Sequence, residues 1–466
     1  SDNPPDLTSS PRLCEGMKAP SSHMKKYRIR KEYRTRVRLT CGGCLTIIIV
    51  IIAAICRCSC SCSSHHKDAD TLVDRRYRLN EHLTNENAGG AGFEEMDSVI
   101  ARYLRRWEIN GAQLAISRND SLVYARGFGK ADEGVAMQPS HIMRMASVSK
   151  LVTAVGVMKL RDMGRLRLSD HVFGPKGILS DTAYTNVIRD KRHFDITVED
   201  LLRHKGGFTN YAGDPMFSTR YIMMQNRLAT PPDHRTLLRI VLRRRLGFTP
   251  GTARHYSNLG YMLLSEIIAR RSGMSYEQFM QRHVLEPAGC YDFHIAGNYY
   301  KDRRPNECRY YMHLTCEPTY EFNNSGRLVE KCYGENDIPR LAGAGAWCGS
   351  AAELCRLVAA IDGCKVLPDV ISSKSVADMT REMPDHDYSL GWNRTPRNRP
   401  WVRTGSLVGT SALVLRYPDG ECWVFITNTS TWKGHAFSHD TMALFERLRR
   451  KYGPTFPRRN LFEPRK

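Results

Sequence analysis

Apolar positions recur along this chain at spacings that separate helix from strand. Met96, Val99, Ile100, Tyr103, Leu104 and Trp107 fall at 3-1-3-1-3 intervals and predict one amphipathic helix. Two strand-like runs follow, 112–117 and 121–127, joined at Asn119-Asp120 as a predicted hairpin. From about 147 to 380 the pattern is largely helical, with amphipathic segments at 259–271 and 351–361. Strand patterns return at 401–404, 411–417 and 422–428, with Pro418-Asp419-Gly420 turning between the last two. A final helix is predicted over 435–452. Strands at both ends with helices between them predict an α+β fold. Its antiparallel sheet is built from both ends of the domain, flanked by helices and interrupted by a large helical insertion. Such a plan places an active site in the cleft between the sheet and the helical region.

The N-terminal quarter reads differently. Basic residues crowd 25–38, and an uncharged, strongly apolar stretch follows at once, richest from Leu45 to Ile55. Spanning a bilayer takes ~20 residues, a length this stretch approaches with Arg38 and Arg57 snorkelling at its ends. The expected organisation is a cytosolic basic tail (1–38), a transmembrane signal anchor with a Cys-rich edge (39–60), a polar stalk (61–93), a folded domain (94–452) and a basic tail (453–466). With positive charge inside, this describes a single-pass, type II membrane protein whose domain is lumenal or extracellular. The competing location is mitochondrial, since a basic, acid-poor run also serves as an import signal. The chain begins at Ser1, so residues upstream of it are expected.

Eight cysteines lie beyond the anchor, all between Cys290 and Cys422, which raises the expectation of disulfides in an oxidising compartment. Asn119, Asn323, Asn393 and Asn428 open sequons and predict a glycoprotein. The net charge of +21 is spread over scattered arginine clusters with no recognisable nucleic-acid motif, so nucleic acid is not an expected partner.

Candidate chemistry is concentrated at Ser147-Val148-Ser149-Lys150, which opens the apolar run 151–160. Three residues make nearly one helical turn, so the Ser147 hydroxyl and the Lys150 amine share a face. Serine needs a base to become a nucleophile, and a lysine walled in by Leu151, Val152 and Val155 can lose its own proton and act as one. The same spacing occurs in polar surroundings at Ser22/Lys25, Ser64/Lys67 and Ser430/Lys433, and by itself it also describes a serine-capped helix. A second element, Tyr256-Ser257-Asn258, follows a Pro-Gly turn and precedes a helix. It is a cleft phenol with a partner amide or, on a plainer reading, a buried tyrosine beside an Asn258 N-cap. A third, Arg403-Thr404-Gly405-Ser406, enters the C-terminal hairpin. There glycine permits close approach to a substrate, the Ser406 N–H can donate to an oxyanion, and Arg403 can fork onto a carboxylate. The plain alternative is an ordinary strand end.

In this order, the three boxes resemble the signature motifs of the serine β-lactamase-related family, which includes penicillin-binding DD-peptidases, class C β-lactamases and their eukaryotic relatives. The stretches 196–208 and Tyr388-Ser-Leu-Gly-Trp392 add to the resemblance, which covers about residues 94–452. It implies a β-lactamase/transpeptidase-like fold and a serine hydrolase forming an acyl-enzyme on an amide, peptide or ester. Carried over by motif, Ser147 is the nucleophile, Lys150 its proton acceptor or relay, and Tyr256 the proton shuttle to the leaving group. Either Lys150 or Tyr256 can be the general base. Asn258 orients Lys150 and the substrate amide, Thr404 and Gly405 line the substrate strand, and the N–H groups of Ser147 and Ser406 form the oxyanion hole. No metal or organic cofactor is implied. The implied partner is a small-molecule or peptide substrate, with or without a carboxylate. The family usually has lysine or histidine where this chain has Arg403; arginine stays charged and cannot relay a proton. That departure keeps open a member that has lost catalysis and acts as a binding or scaffolding protein.

Overall fold

The computed structural model describes residues 77–463, apart from 91, 365, 385 and 386. Its centre is a six-stranded antiparallel sheet in the order β3-β2-β1-β11-β10-β9. The strands of this sheet are β1 (Gly111–Arg118), β2 (Ser121–Asp132), β3 (Val135–Ala136), β9 (Trp401–Leu407), β10 (Thr410–Arg416) and β11 (Glu421–Thr427). The N-terminal hairpin meets the C-terminal meander where β1 pairs with β11, with Ala115 opposite Val424. The α+β plan with a sheet drawn from both ends of the domain is therefore what forms. A second sheet, β4-β8-β5, joins β4 (Met143–Arg144), β5 (His294–Ile295) and β8 (Trp347–Gly349), and β6 (Thr319–Tyr320) pairs with β7 (Leu328–Val329).

The main helices are α1 (Glu94–Arg106), α2 (Ser149–Asp162), α3 (Asn258–Ser272), α4 (Ala351–Ala359) and α5 (Phe437–Tyr452). The period-2 alternation of the strands sorts the core into two layers. Leu114, Ile116, Leu413, Leu415, Trp423 and Phe425 face one way and pack with Met96 and Ile100 of α1 and Leu444 and Phe445 of α5. Ala115, Val414, Cys422, Val424 and Ile426 face the other way, into the core shared with α2, α3 and α4. Covered on both faces, β11 is buried along its whole length, which explains its nearly unbroken apolar run.

The folded body exceeds the expected limits of 94–452 at both ends. Leu79, Leu83, Ala88 and Phe93, assigned to a stalk, are buried, and Thr84 forms a capping box with Asn87. Beyond α5, Phe456, Leu461 and Phe462 are buried too. Arg459 donates to the carbonyls of Val123, Asn87 and Ala88, tying the C-terminal segment to the N-terminal one.

The membrane assignment is corrected. No helix among the described residues is long and apolar enough to cross a membrane; the longest, α5, has 16 residues, whereas a span needs ~20. The expected anchor, 39–60, lies outside the described residues, and the single-pass, type II placement is not carried forward. The disulfide expectation also fails, because all eight cysteines are free thiols in the structure. Several have other partners: Cys290 Sγ lies 3.2 Å from Glu353 O, Cys355 Sγ 3.5 Å from Ala115 O, and Cys308 Sγ 3.6 Å from Met137 Sδ. Of the sequon asparagines, Asn428 is fully buried and donates to Lys130 O, a position closed to a glycan.

Ending the chain after Tyr452 removes three buried apolar side chains and the Arg459 contacts. Each such side chain stabilises by about 1.5–3 kcal/mol. The truncated chain is expected to lose at least about 3 kcal/mol, read as a lower midpoint in urea unfolding; an unchanged midpoint would show that the segment contributes nothing to the fold.

Candidate active site

Strand β4 delivers the chain to Ser147, the candidate nucleophile. Its continuation is pinned where Met145 N donates to Trp347 O at 2.9 Å, and a single 3-10 turn, Ala146–Val148, then runs into α2. Ala146 sits in the left-handed region at φ 48°, a conformation costly for a residue with a Cβ. The turn is held from the sheet side by β9. A Cβ on Gly405 would lie 2.5 Å from Met145 O and 3.0 Å from Ser147 N, so only glycine allows this approach. Ser147 is left half-buried at the end of the turn.

Lys150, one turn further on, has no exposed surface. Its Nζ lies 3.2 Å from Ser147 Oγ, 2.7 Å from Asn258 Oδ1 and 2.5 Å from the carbonyl oxygen of Ala344. The same amine stands 4.8 Å from the centre of the Tyr256 ring. Burial pushes the Lys150 pKa below its usual value, and Arg403 adds to that effect, while the Tyr256 phenolate opposes it. Asn258 is not the N-cap of α3. Ser257 takes that role by accepting from Gly260 N at 3.1 Å, so the Asn258 amide is available to bridge Lys150 and Asp214 Oδ2, 2.7 Å away.

Tyr256 is half-buried beside both cations. Burial alone would raise its pKa, but the charges of Lys150 and Arg403, with hydrogen bonding from Lys150 and Ser147, outweigh it and bring the phenol down to about 8. Arg403 is itself 1% exposed. Its Nε donates to Ser147 O at 2.8 Å, its Nη2 to the same carbonyl, and Nη2 lies 3.5 Å from the Tyr256 hydroxyl. The expectation of a free fork for a substrate carboxylate is thereby corrected: the guanidinium is buried and bound to the carbonyl of Ser147. Thr404 N donates to Asn393 Oδ1 at 2.8 Å, and Ser406 is exposed one residue beyond Gly405. The structure thus brings together Ser147, Lys150, Tyr256, Asn258 and Arg403, with Gly405 pressed against the nucleophile turn.

Three contributors carried no assigned role in the sequence. Asp214 follows Asn210-Tyr-Ala-Gly213, a turn-forming composition that was the only signal for it. His204 lies within the 196–208 stretch and is buried, with Nδ1 accepting from Ser257 N at 3.1 Å and its ring 4.4 Å from that of Tyr256. Burial first, then the nearby Lys150 and Arg403 charges, hold it well below the usual histidine pKa, so it is neutral. Tyr388 closes the group, its ring 4.7 Å from His204 and 5.9 Å from Tyr256.

Comparison with known proteins points the same way as the geometry. The Beta-lactamase family model matches residues 96–446. Penicillin-binding protein 4* of Bacillus subtilis is 27% identical over 325 residues, covering 67% of this chain and 66% of that protein. Protein flp of Staphylococcus aureus is 26% identical over 207 residues, covering 44% of this chain and 38% of that protein. The chain thus spans less than two thirds of the length of these curated relatives. Among solved structures, the octameric penicillin-binding protein homologue from Pyrococcus abyssi superposes with a TM-score of 0.56 at 19% identity, covering 79% of this chain and 78% of that one. D-amino acid amidase from Ochrobactrum anthropi SV3 gives 0.59 at 18% identity, covering 77% and 98%. At these identities the superpositions show a shared fold.

The electrostatics predict a titration. The ultraviolet difference between wild type and Tyr256→Phe is expected to show one phenol ionising near pH 8, well below an ordinary tyrosine. In Arg403→Gln one of the two stabilising cations is gone, and the same ionisation is expected to move to higher pH. An ionisation at or above pH 10 in wild type would overturn the account.

Proposed function

The chain belongs to the Beta-lactamase family of serine hydrolases, and from that premise we propose that it is itself a working hydrolase that cleaves an amide, peptide or ester through an acyl-enzyme. The observation carrying this reading is the unexposed Lys150 amine, 3.2 Å from Ser147 Oγ and directed toward the Tyr256 ring. A scaffold that had lost catalysis would have no use for so costly a burial.

In the proposed reaction, Ser147 Oγ attacks the substrate carbonyl carbon while its proton passes to the Lys150–Tyr256 pair. Burial lowers the affinity of Lys150 for a proton and the cations lower that of Tyr256, so the pair acts as one base with coupled titration. The tetrahedral oxyanion accepts from the N–H groups of Ser147 and Ser406. Collapse breaks the C–N or C–O bond, and the pair returns the proton to the leaving amine or alcohol through Tyr256. Water, deprotonated by the same pair, then hydrolyses the Ser147 ester. Asn258 keeps Lys150 aimed, and Thr404 and Gly405 form the strand along which substrate lies. Arg403 supports the ionised phenol; a substrate carboxylate, if present, is read elsewhere.

A fluorescent fluorophosphonate or penicillin incubated with the purified protein is expected to label wild type but not Ser147→Ala. Turnover of the best substrate in an ester and amide panel is expected to fall by about 10³-fold or more in Ser147→Ala and Lys150→Ala. No labelling and no turnover by wild type would return the protein to the binding or scaffolding reading.

A further inference from the structure

A second constellation lies in the small sheet behind the nucleophile turn. His294 on β5, Cys348 on β8 and Glu307 are all buried, and their ligating atoms lie within 4.8 Å of one another. His294 and Cys348 are directly paired across β5 and β8, and Glu307 is brought in by its bridge to Ile142. His294 Nε2 is 3.1 Å from Glu307 Oε2, and Cys348 Sγ is 3.6 Å from Glu307 Oε1. Nitrogen, oxygen and sulfur ligands around tetrahedral zinc, bonded at roughly 2.0–2.3 Å, stand roughly 3.3–3.6 Å apart, and the contacts of His294 and Cys348 to the two Glu307 oxygens are near that spacing.

The hydrogen-bond inventory provides an independent reason to look for a cation. His294 Nδ1 faces the backbone carbonyl of Asp292 at 3.1 Å, and Nε2 faces the Glu307 carboxylate. A carbonyl and a carboxylate can only accept, whereas a neutral imidazole has one N–H to give. With Nδ1–H bonded to Asp292, Nε2 faces the Glu307 carboxylate, and either a proton held there as a His294–Glu307 ion pair or a metal ion satisfies both atoms. Glu307 also accepts from the Tyr310 hydroxyl at 2.8 Å and from Arg304 N at 3.3 Å. The Asp292 contact is also the kind of outer hydrogen bond that fixes the tautomer of a metal-bound histidine. Arg144 adds positive charge nearby, acting on both Glu307 and Cys348, while its Nη1 and Nη2 donate to Cys332 O and Gly297 O at 2.9 Å.

We propose that His294, Glu307 and Cys348 bind a zinc ion as its three protein ligands. Binding forms Zn–N, Zn–O and Zn–S bonds and releases two protons to solvent, the Cys348 thiol proton and the one held between His294 Nε2 and Glu307. Thiolate and carboxylate together neutralise the ion, and the mixed nitrogen, oxygen and sulfur donor set suits zinc. The ion would clamp β5 to β8 and to the Glu307 segment. Since Arg144 of β4 pairs with Cys348, the clamp would stiffen the strand that launches Ser147. The proposal does not depend on the hydrolase reading.

The test uses the full chain, loaded with Zn²⁺ and dialysed, with bound metal measured by plasma mass spectrometry. Because Cys56, Cys58, Cys60 and Cys62 and the pair His65-His66 offer other donors, the readout is a difference between proteins. Cys348→Ala and Glu307→Gln are each expected to hold one zinc per chain fewer than wild type, while Cys316→Ala holds the wild-type amount. Replacing zinc with Co²⁺ is expected to give a thiolate-to-cobalt charge-transfer band that loses intensity in Cys348→Ala. Circular dichroism identifies any variant that fails to fold, and the remaining folded variant then decides. Equal zinc in wild type and the folded variants would overturn the proposal, as would an imidazole nitrogen signal showing His294 doubly protonated in zinc-loaded wild type.

Discussion

An amine with no exposed surface, one helical turn from a half-exposed hydroxyl, is the constraint around which this domain is arranged. Lys150 can be buried only if its hydrogens find acceptors, and the fold supplies them from three places: Ser147 on its own turn, Asn258 at the start of α3, and the Ala344 carbonyl. Each acceptor must arrive at a defined position, so α2, α3 and the 342–345 turn are locked together at the site. Gly343 is part of the same demand, since a Cβ there would meet Tyr261 O at 2.7 Å. The close packing behind the amine and the reactivity in front of it are consequences of one burial.

Arg403 shows how a change in one side chain is absorbed. A permanent charge on β9 could have faced the cleft. Instead it turns inward, donates to the carbonyl of Ser147, and joins Lys150 in stabilising ionised Tyr256. A lysine or histidine there could exchange protons; the arginine cannot, and its effect is a fixed field. In the proposed reaction this leaves proton traffic to Lys150 and Tyr256, with neutral His204 packed against the phenol and Asp214 holding Asn258 from outside.

Segments flanking the predicted domain depart from expectation for a common reason. Residues 79–93 and 453–462 are short, mixed in polarity and without periodicity, and they gain their order from each other and from the sheet, as the Arg459 bonds to Ala88 and Val123 illustrate. The cysteines were misread because counting and clustering say nothing of direction. Cys355 and Cys422 sit in one core yet remain thiols.

The chain's local patterns determined a good deal. The stripe on α1, the alternation in β10 and the strand-turn-strand signal around Pro418 located the elements, and strand runs at both ends implied the shared sheet. Spacing within one turn was enough to pair Ser147 with Lys150, because helix geometry is set locally. What stayed out of reach was every property that depends on distant residues meeting. Arg403 and Ser147 lie 256 positions apart, Lys150 and Asn258 lie 108 apart, and Asp214 belongs to a loop with no periodicity of its own. Where a charge points, and which acceptor it finds, is decided only when packing closes the cleft, since the cost of leaving a buried polar group unpaired applies only after water has been excluded.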